Sequence, residues 1–296
     1  MITGAPIQRI GFVGLGKMGE PMAAHLVKAG YILTVADEVP GTAKKFVADH
    51  GGKIATSLID LAREVEAVIT MLPNGMIVRE VLSDGILQGL APGSIIIDMG
   101  TSNPVETRET ANQAEAHGIA MVDCPVAGGV VFAKDATLTI TTGGDEGVLA
   151  RCRPLFDVIG KKIIHCGDIG AGHAIKALNN FINASLLITA FEALSIGKRF
   201  GLKTETMLQS MMAATTSRNN PISKKIKPFL NDSNYTTGMA LSLLAKDVRI
   251  VAKMADTLGE FAPISEQCSA LWNDAEERFG GKQDQINVAR LWFRNT

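Results

Sequence analysis

Apolar residues in the first half of the chain fall into short runs separated by longer amphipathic stretches. Arg9-Ile-Gly-Phe-Val13 is followed by a helical pattern over Met18–Lys28 and then by a second run, Tyr31–Ala36. Ala67–Leu72, Ser94–Asp98 and Ala120–Asp123 continue the series, and Thr137–Thr142 and Lys162–His165 read as later strands of the same sheet. Continuous apolar runs bounded by turn signals suit strands buried on both faces. Strands spaced by helix-length segments imply βαβ crossovers, hence a doubly wound, mostly parallel sheet. After Gly167 the pattern changes. Asp168–Gly172 is a turn, every signal from His173 to about Arg199 is helical, and further helices are expected near 204–213, 221–230, 241–258 and 263–279. The expected organisation is an α/β domain over residues 1–167 and an all-α domain over 168–296.

Composition then excludes several classes. A chain of 296 residues with 46% hydrophobic and 20% charged positions folds and is not disordered. With 29 basic against 30 acidic residues, it lacks the electrostatic driver for a nucleic-acid or anionic-membrane partner. The apolar stretch Phe181–Gly197 is interrupted by Asn183, Ser185, Thr189 and Glu192, so no membrane span is expected. The N-terminus shows no signal-peptide pattern. Cys124, Cys152, Cys166 and Cys268 have no CxxC spacing, which suits reduced thiols in a cytoplasmic protein. Neither they nor the histidines are spaced as metal ligands, so metal catalysis is not expected.

Gly14-Leu15-Gly16-Lys17-Met18-Gly19 follows the first run directly and opens a helical pattern. GxGxxG alone is weak in a chain with 30 glycines. Here strand, loop, helix and second strand come in order, and Asp37 closes the second strand, which is the layout of a dinucleotide site. Gly14 permits the tight turn, Gly16 lets the backbone approach a pyrophosphate, and Gly19 permits close helix–strand packing. The helix N-terminus adds its positive dipole end. A carboxylate at Asp37 can accept from the ribose hydroxyls, and Glu38 beside it offers no positive charge to a 2′-phosphate. The expected cofactor is NAD, with NADP disfavoured.

Lys176, Asn179, Asn180 and Asn183 stand at i, i+3, i+4 and i+7, on one helix face. Ala174, Ile175, Leu178, Phe181, Ile182, Leu186 and Leu187 make that helix apolar nearly all round, so it is expected to be buried. A buried polar stripe must find partners or serve a site. A partly desolvated lysine beside a positive nicotinamide would have its pKa lowered, which makes Lys176 the candidate general acid/base. The competing reading is a solvated face on an edge helix. His173 and Cys124 read as packing residues.

Together these segments resemble the β-hydroxyacid dehydrogenase family, whose best-known member is 3-hydroxyisobutyrate dehydrogenase. The likeness runs from about residue 9 to 290. Gly11–Ala23 looks like the family's opening signature, Asp123-Cys-Pro-Val-Ala-Gly-Gly129 its substrate loop, and Gly170–Asn180 its catalytic-lysine helix, while Lys246-Asp247 matches a pair beside the nicotinamide. The resemblance implies a Rossmann domain followed by a helical domain. It also implies an NAD-dependent dehydrogenase interconverting a small 3-hydroxy acid and its semialdehyde, with Lys176 as acid/base. Asn180 would help hold the substrate, and the N–H groups of Gly128 and Gly129 would receive its carboxylate as an anion nest. Leu72 and Pro73 would flank the adenosine half of the cofactor, and Thr101 would reach its nicotinamide side. Dimers or tetramers are the family's usual assemblies, and the apolar Phe181–Gly197 helix would suit such an interface.

The chain departs from that pattern where substrate is chosen. Ala127 stands where the loop usually carries Ser, Met239 where a reductase branch often has Phe, and Ala136 where Gly is common. Arg218 is either a second anchor for an acidic substrate or a helix-capping or surface residue. Three rivals stay in view. An NADPH-dependent reductase of glyoxylate or succinic semialdehyde is opposed by Asp37, an imine reductase by Lys176, and a non-catalytic dinucleotide-binding module by the Lys176–Asn180 pair.

Overall fold

The continuous apolar runs become the central strands of a sheet. The computed structural model describes residues 6–214, 221–232 and 234–293. It divides into two compact units, one up to Lys176 and one from Ala177 onward.

In chain order the first unit starts β1 (Arg9–Val13), α1 (Gly19–Lys28), β2 (Ile32–Ala36), α2 (Thr42–His50), β3 (Lys53–Ile54), α3 (Leu58–Arg63) and β4 (Ala67–Thr70). It continues through α4 (Gly75–Val81), α5 (Leu87–Gly89), β5 (Ile95–Asp98), α6 (Pro104–Glu115), β6 (Ala120–Asp123) and β7 (Val126–Ala127). Then come α7 (Val130–Lys134), β8 (Leu138–Gly143), α8 (Glu146–Ile159) and β9 (Gly160–Gly167). The strand order is β3-β2-β1-β4-β5-β6-β8-β7, with β9 on β8. β1 to β6 pair in parallel, whereas β8 runs antiparallel to β6 and β7. This is a Rossmann sheet, and the order reverses between β1 and β4, where such sheets take their ligand.

Alternation along the buried strands splits their side chains between two layers. Ile10, Phe12, Leu33, Ile69 and Ile97 meet Met22 and Leu26 of α1 and Leu155 and Phe156 of α8. Val13, Val68, Ile96 and Met121 meet Leu61, Val78, Leu82 and Ile86 on the other face. Both faces are covered, so the strands carry no polar alternation.

α9 (Ala171–Phe200) follows. The strand pattern ends at 167, but the compact unit extends to Lys176 because the first turn of α9 lies against the strand ends. A Cβ on Gly172 would stand 2.8 Å from the carbonyl oxygens of both Asp123 and Thr141. By length and composition α9 could cross a bilayer. It nevertheless carries Lys176, Asn179, Asn180 and Asn183, and its start is tied to the sheet.

One expectation for α9 is corrected. It is not buried all round: Ile175, Leu178, Ile182 and Leu186 are 45%, 39%, 55% and 40% exposed. The helix buries Ala184, Leu187, Phe191 and Leu194 along its opposite side. Its apolar character is thus divided between an inner seam and an outer row.

The second unit continues with α10 (Thr204–Ala214), α11 (Lys227–Asn231), α12 (Leu241–Leu258) and α13 (Pro263–Phe279), then a 3₁₀ segment at Gln285–Leu291. Its core joins the inner seam of α9 to Leu241, Leu244 and Val248 of α12 and to Cys268, Trp272 and Ala275 of α13. An antiparallel bridge pairs Ala240 with Asp284.

Candidate active site

The C-terminal ends of the parallel strands carry most of the expected residues. Gly14 adopts φ +99° with its Cα backed onto the Met71 carbonyl, and Gly19 is pressed against the Gly14 carbonyl, so neither position has room for a Cβ. Gly16 is different: nothing lies within 4 Å of where its Cβ would be, so its backbone is open to a ligand. Gly16 and Lys17 are exposed, Met18 is half-buried, and Leu15 is buried beneath them.

Asp37 closes β2 and is fixed before any ligand arrives. Its Oδ2 accepts the Leu15 N–H at 2.7 Å and its Oδ1 accepts the Val39 N–H at 2.9 Å. Each carboxylate oxygen keeps a lone pair for a ribose hydroxyl. The open loop and the oriented carboxylate fit a dinucleotide. Leu72 touches the back of Gly14, and its carbonyl lies 2.7 Å from where a Cβ on Gly100 would stand. This gathers Leu72, Pro73 and the Gly100–Thr101 turn beside the glycine loop.

A polar row runs along the same sheet edge. Parallel register sets Thr70 beside Asp98 and Asp98 beside Asp123. Asp98 accepts from Thr70 Oγ1 at 3.1 Å, the Gly100 N–H at 3.0 Å and Ser102 Oγ at 2.8 Å. Asp123 accepts the Gly170 N–H at 2.6 Å and the His173 N–H at 2.7 Å, both at the start of α9. His173 is fully buried, with Nδ1 2.9 Å from Thr107 Oγ1. The Thr107 hydroxyl donates to the Asn103 carbonyl, so Nδ1 is the donor in that contact. His173 Nε2 lies 3.5 Å from Asp98 Oδ2 and has no hydrogen-bond partner among the described residues. Cys124 sits beside Asp123, and burial, followed by the neighbouring Cys152, Asp123 and Asp98, pushes its thiol well up. Burial takes Cys152 up to about 12. Neither is poised as a nucleophile.

The expected substrate loop leaves β6 through Pro125, whose carbonyl accepts from the Thr141 N–H at 3.2 Å. Val126 and Ala127 pair with β8 as the short strand β7. Gly128 and Gly129 then take φ +130° and +80°, which disfavours side-chain-bearing residues and turns the chain into α7. Lys176 follows on α9, half-buried, one turn after His173.

In the second unit, Asn180 Nδ2 donates to Asp247 Oδ2 at 2.6 Å, and both residues are buried. The carboxylate can only accept, which orients the amide and leaves Asn180 Oδ1 as an acceptor. Lys246 Nζ stands 3.2 Å from Asp247 Oδ1. Met239 is half-buried in a segment organised by Asp284, which accepts from the N–H groups of Thr237 and Gly238. Gln285 N–H donates to the Met239 carbonyl at 2.9 Å. Arg218 lies outside the described residues.

The row Thr70–Asp98–Asp123, with Thr107 and His173, was not singled out from sequence as one cluster. Its signal was an acid closing each of two consecutive apolar strands.

Residues 9–167 match the family described as the NAD binding domain of 6-phosphogluconate dehydrogenase. Residues 170–292 match the family described as NAD-binding of NADP-dependent 3-hydroxyisobutyrate dehydrogenase. The chain is 33% identical to an NAD-dependent L-serine dehydrogenase of Pseudomonas aeruginosa, over 97% of this chain and 98% of that one. It is 32% identical to a 2-(hydroxymethyl)glutarate dehydrogenase of Eubacterium barkeri, over 97% and 96%. A solved structure of Mycobacterium tuberculosis 3-hydroxyisobutyrate dehydrogenase with L-serine superposes with a TM-score of 0.86 at 32% identity, covering 96% of this chain and 99% of that one.

Proposed function

The chain belongs to the β-hydroxyacid dehydrogenase family, and on that premise we propose that it interconverts a small 3-hydroxy acid and its semialdehyde with NAD as cofactor. That it is an NAD(P)-dependent oxidoreductase acting on a hydroxyl donor follows from the family. The observation carrying the finer reading is the common sheet edge. Asp37, the glycine loop, Leu72–Pro73 and Thr101 follow the ends of the neighbouring strands β2, β1, β4 and β5, and the Ala127–Gly129 loop leads on from β6 and β7 of the same unit.

Serine, 3-hydroxyisobutyrate and 2-(hydroxymethyl)glutarate, named in the relatives, share one skeleton. Each is a 3-hydroxypropanoate with a different substituent on C2. The common carboxylate and primary alcohol set what this chain must recognise, and the C2 substituent is the variable part.

The nicotinamide ring, when bound, supplies the hydride acceptor. Asp37 accepts from the ribose hydroxyls, and the loop Gly14–Gly19 offers its backbone to the pyrophosphate. The N–H groups of Gly128 and Gly129 donate to the substrate carboxylate. Lys176 Nζ takes the hydroxyl proton in oxidation and returns it in reduction, with Asn180 one turn further along the same helix. The outer row Ile175, Leu178, Ile182 and Leu186 supports a homodimer or homotetramer, tested by sedimentation of the wild type against Ile182→Glu. A cytoplasmic setting accords with the unpaired thiols.

The test is a matrix of initial rates. L-serine, 3-hydroxyisobutyrate and 2-(hydroxymethyl)glutarate are each offered with NAD and with NADP. At least one should give turnover with NAD preferred. No reduction of NAD with any of them would refute the reading, as would preference for NADP.

A further inference from the structure

We propose that Asp123 and His173 are positioning residues that hold Lys176 in register with the substrate loop. The inference rests on the reading of Lys176 as the acid/base. It starts from how α9 is capped. The opening N–H groups of a helix are orphan donors, usually met by a side chain close by in sequence. Here they are met by a carboxylate 47 positions away, whose Oδ1 takes the Gly170 N–H and whose Oδ2 takes that of His173. That carboxylate is fully buried, a costly choice where a neutral cap would serve.

The surroundings are cut to admit it. A Cβ on Gly143 would run into Asp123 Oδ1, and a Cβ on Gly172 would stand 2.9 Å from Oδ2. Both neighbours lack a side chain where the carboxylate must pass. Asp123 is also the residue from which the loop to Gly128 and Gly129 departs. One side chain therefore fixes both the origin of the carboxylate-binding loop and the start of the lysine helix. Thr141 reinforces the join, because its hydroxyl lies 3.5 Å from the Pro125 carbonyl and 3.4 Å from that of Gly172.

His173 extends the brace to the cofactor side. It donates from Nδ1 to Thr107 on α6, whose hydroxyl in turn donates to the carbonyl of Asn103, two residues after Thr101. His173 is one turn before Lys176, so a shift of its ring moves the backbone that carries the lysine.

The test is a double-mutant cycle with L-serine and 3-hydroxyisobutyrate as substrates. Wild type, Asp123→Asn, Lys176→Ala and the double variant are compared. An amide oxygen can meet one of the two N–H groups and not both. Asp123→Asn should lower kcat by ~10–100-fold, since a misplacement of about 1 Å costs that order. KM should rise by a few-fold at most, because the carboxylate loop shares the Asp123 anchor, and the NADH dissociation constant from fluorescence titration should stay within about twofold, because the glycine loop keeps its own contacts. The double variant should be no slower than Lys176→Ala beyond about twofold, the scatter expected of measurements on coupled sites. Losses that multiply in the double variant would overturn the proposal, as would a loss seen in KM or NADH binding with kcat kept. If Asp123→Asn does not fold, His173→Gln replaces it in the same cycle. That variant keeps both backbone bonds to Asp123 and should lose ~3–10-fold in kcat, again with nothing added to Lys176→Ala. A Lys176→Ala variant that keeps most of its kcat would defeat the acid/base reading itself, a result separate from the additivity test.

Discussion

Replacing Asp37 by Asn isolates its charge while nearly preserving its shape. The carboxylate holds two backbone N–H groups, those of Leu15 and Val39. An amide oxygen can keep one of them, so loop order falls by one hydrogen bond, worth about 0.5–1.5 kcal/mol. The larger effect is electrostatic. A carboxylate and a phosphate charge about 4 Å apart repel by roughly 1 kcal/mol in water and roughly 4 kcal/mol at an effective dielectric constant of 20. Asp37 is half-buried, so the lower part of that range applies. Relief of ~1–2 kcal/mol raises NADP use by roughly 5–30-fold, at 1.36 kcal/mol per factor of ten. For NAD, turning a charge-assisted bond into a neutral one about halves it, a loss of ~1 kcal/mol or about fivefold. The ratio of kcat/KM for NADP to that for NAD should therefore rise by ~25–150-fold. The assay is initial rates at saturating hydroxy acid with each cofactor varied, alongside a thermal melt to show that the variant is folded. A folded variant whose ratio moved by less than about threefold would refute the electrostatic account of cofactor choice.

Lys176→Ala should lower kcat by ~10²–10⁴-fold while NADH binding, read by fluorescence, stays unchanged. Ala127→Ser restores a hydroxyl to the loop and should raise kcat/KM for 3-hydroxyisobutyrate by a few-fold to about tenfold. Equal effects on 3-hydroxy acids of every size would mean that residue 127 does not face the substrate. Ala136 holds φ +53°, a conformation that favours glycine. Ala136→Gly should leave kcat unchanged and raise Tm by ~1–3 °C by scanning calorimetry, and a fall would contradict the strain assignment.

The sheet was legible because its strands are buried on both faces. β1, β4 and β5 read as unbroken apolar runs, and the helices between them fixed parallel pairing. β3 and β7 were not foreseen, since two residues carry no periodicity and exist through their neighbours. The glycine loop and Asp37 were readable because their spacing is local to one βαβ unit. The Asp98–His173–Asp123 arrangement was not, because register and burial join residues far apart in sequence. The burial of α9 was overestimated for a related reason. Periodicity shows which side chains are apolar and is silent on how many sides of a helix the rest of the chain covers.

The unpaired cysteines give the protein a built-in reporter of its own breathing. Cys124, Cys152 and Cys268 are buried, and burial holds each thiol protonated. An electrophile therefore reacts with them through transient openings, at a rate set by the free energy of the segment that must open. Cys124 senses the junction of β6 with the substrate loop, Cys152 the α8 layer, and Cys268 the helical core. Labelling them one at a time reads the local stability of three layers, and ligands that tighten the loop should slow Cys124 before the others.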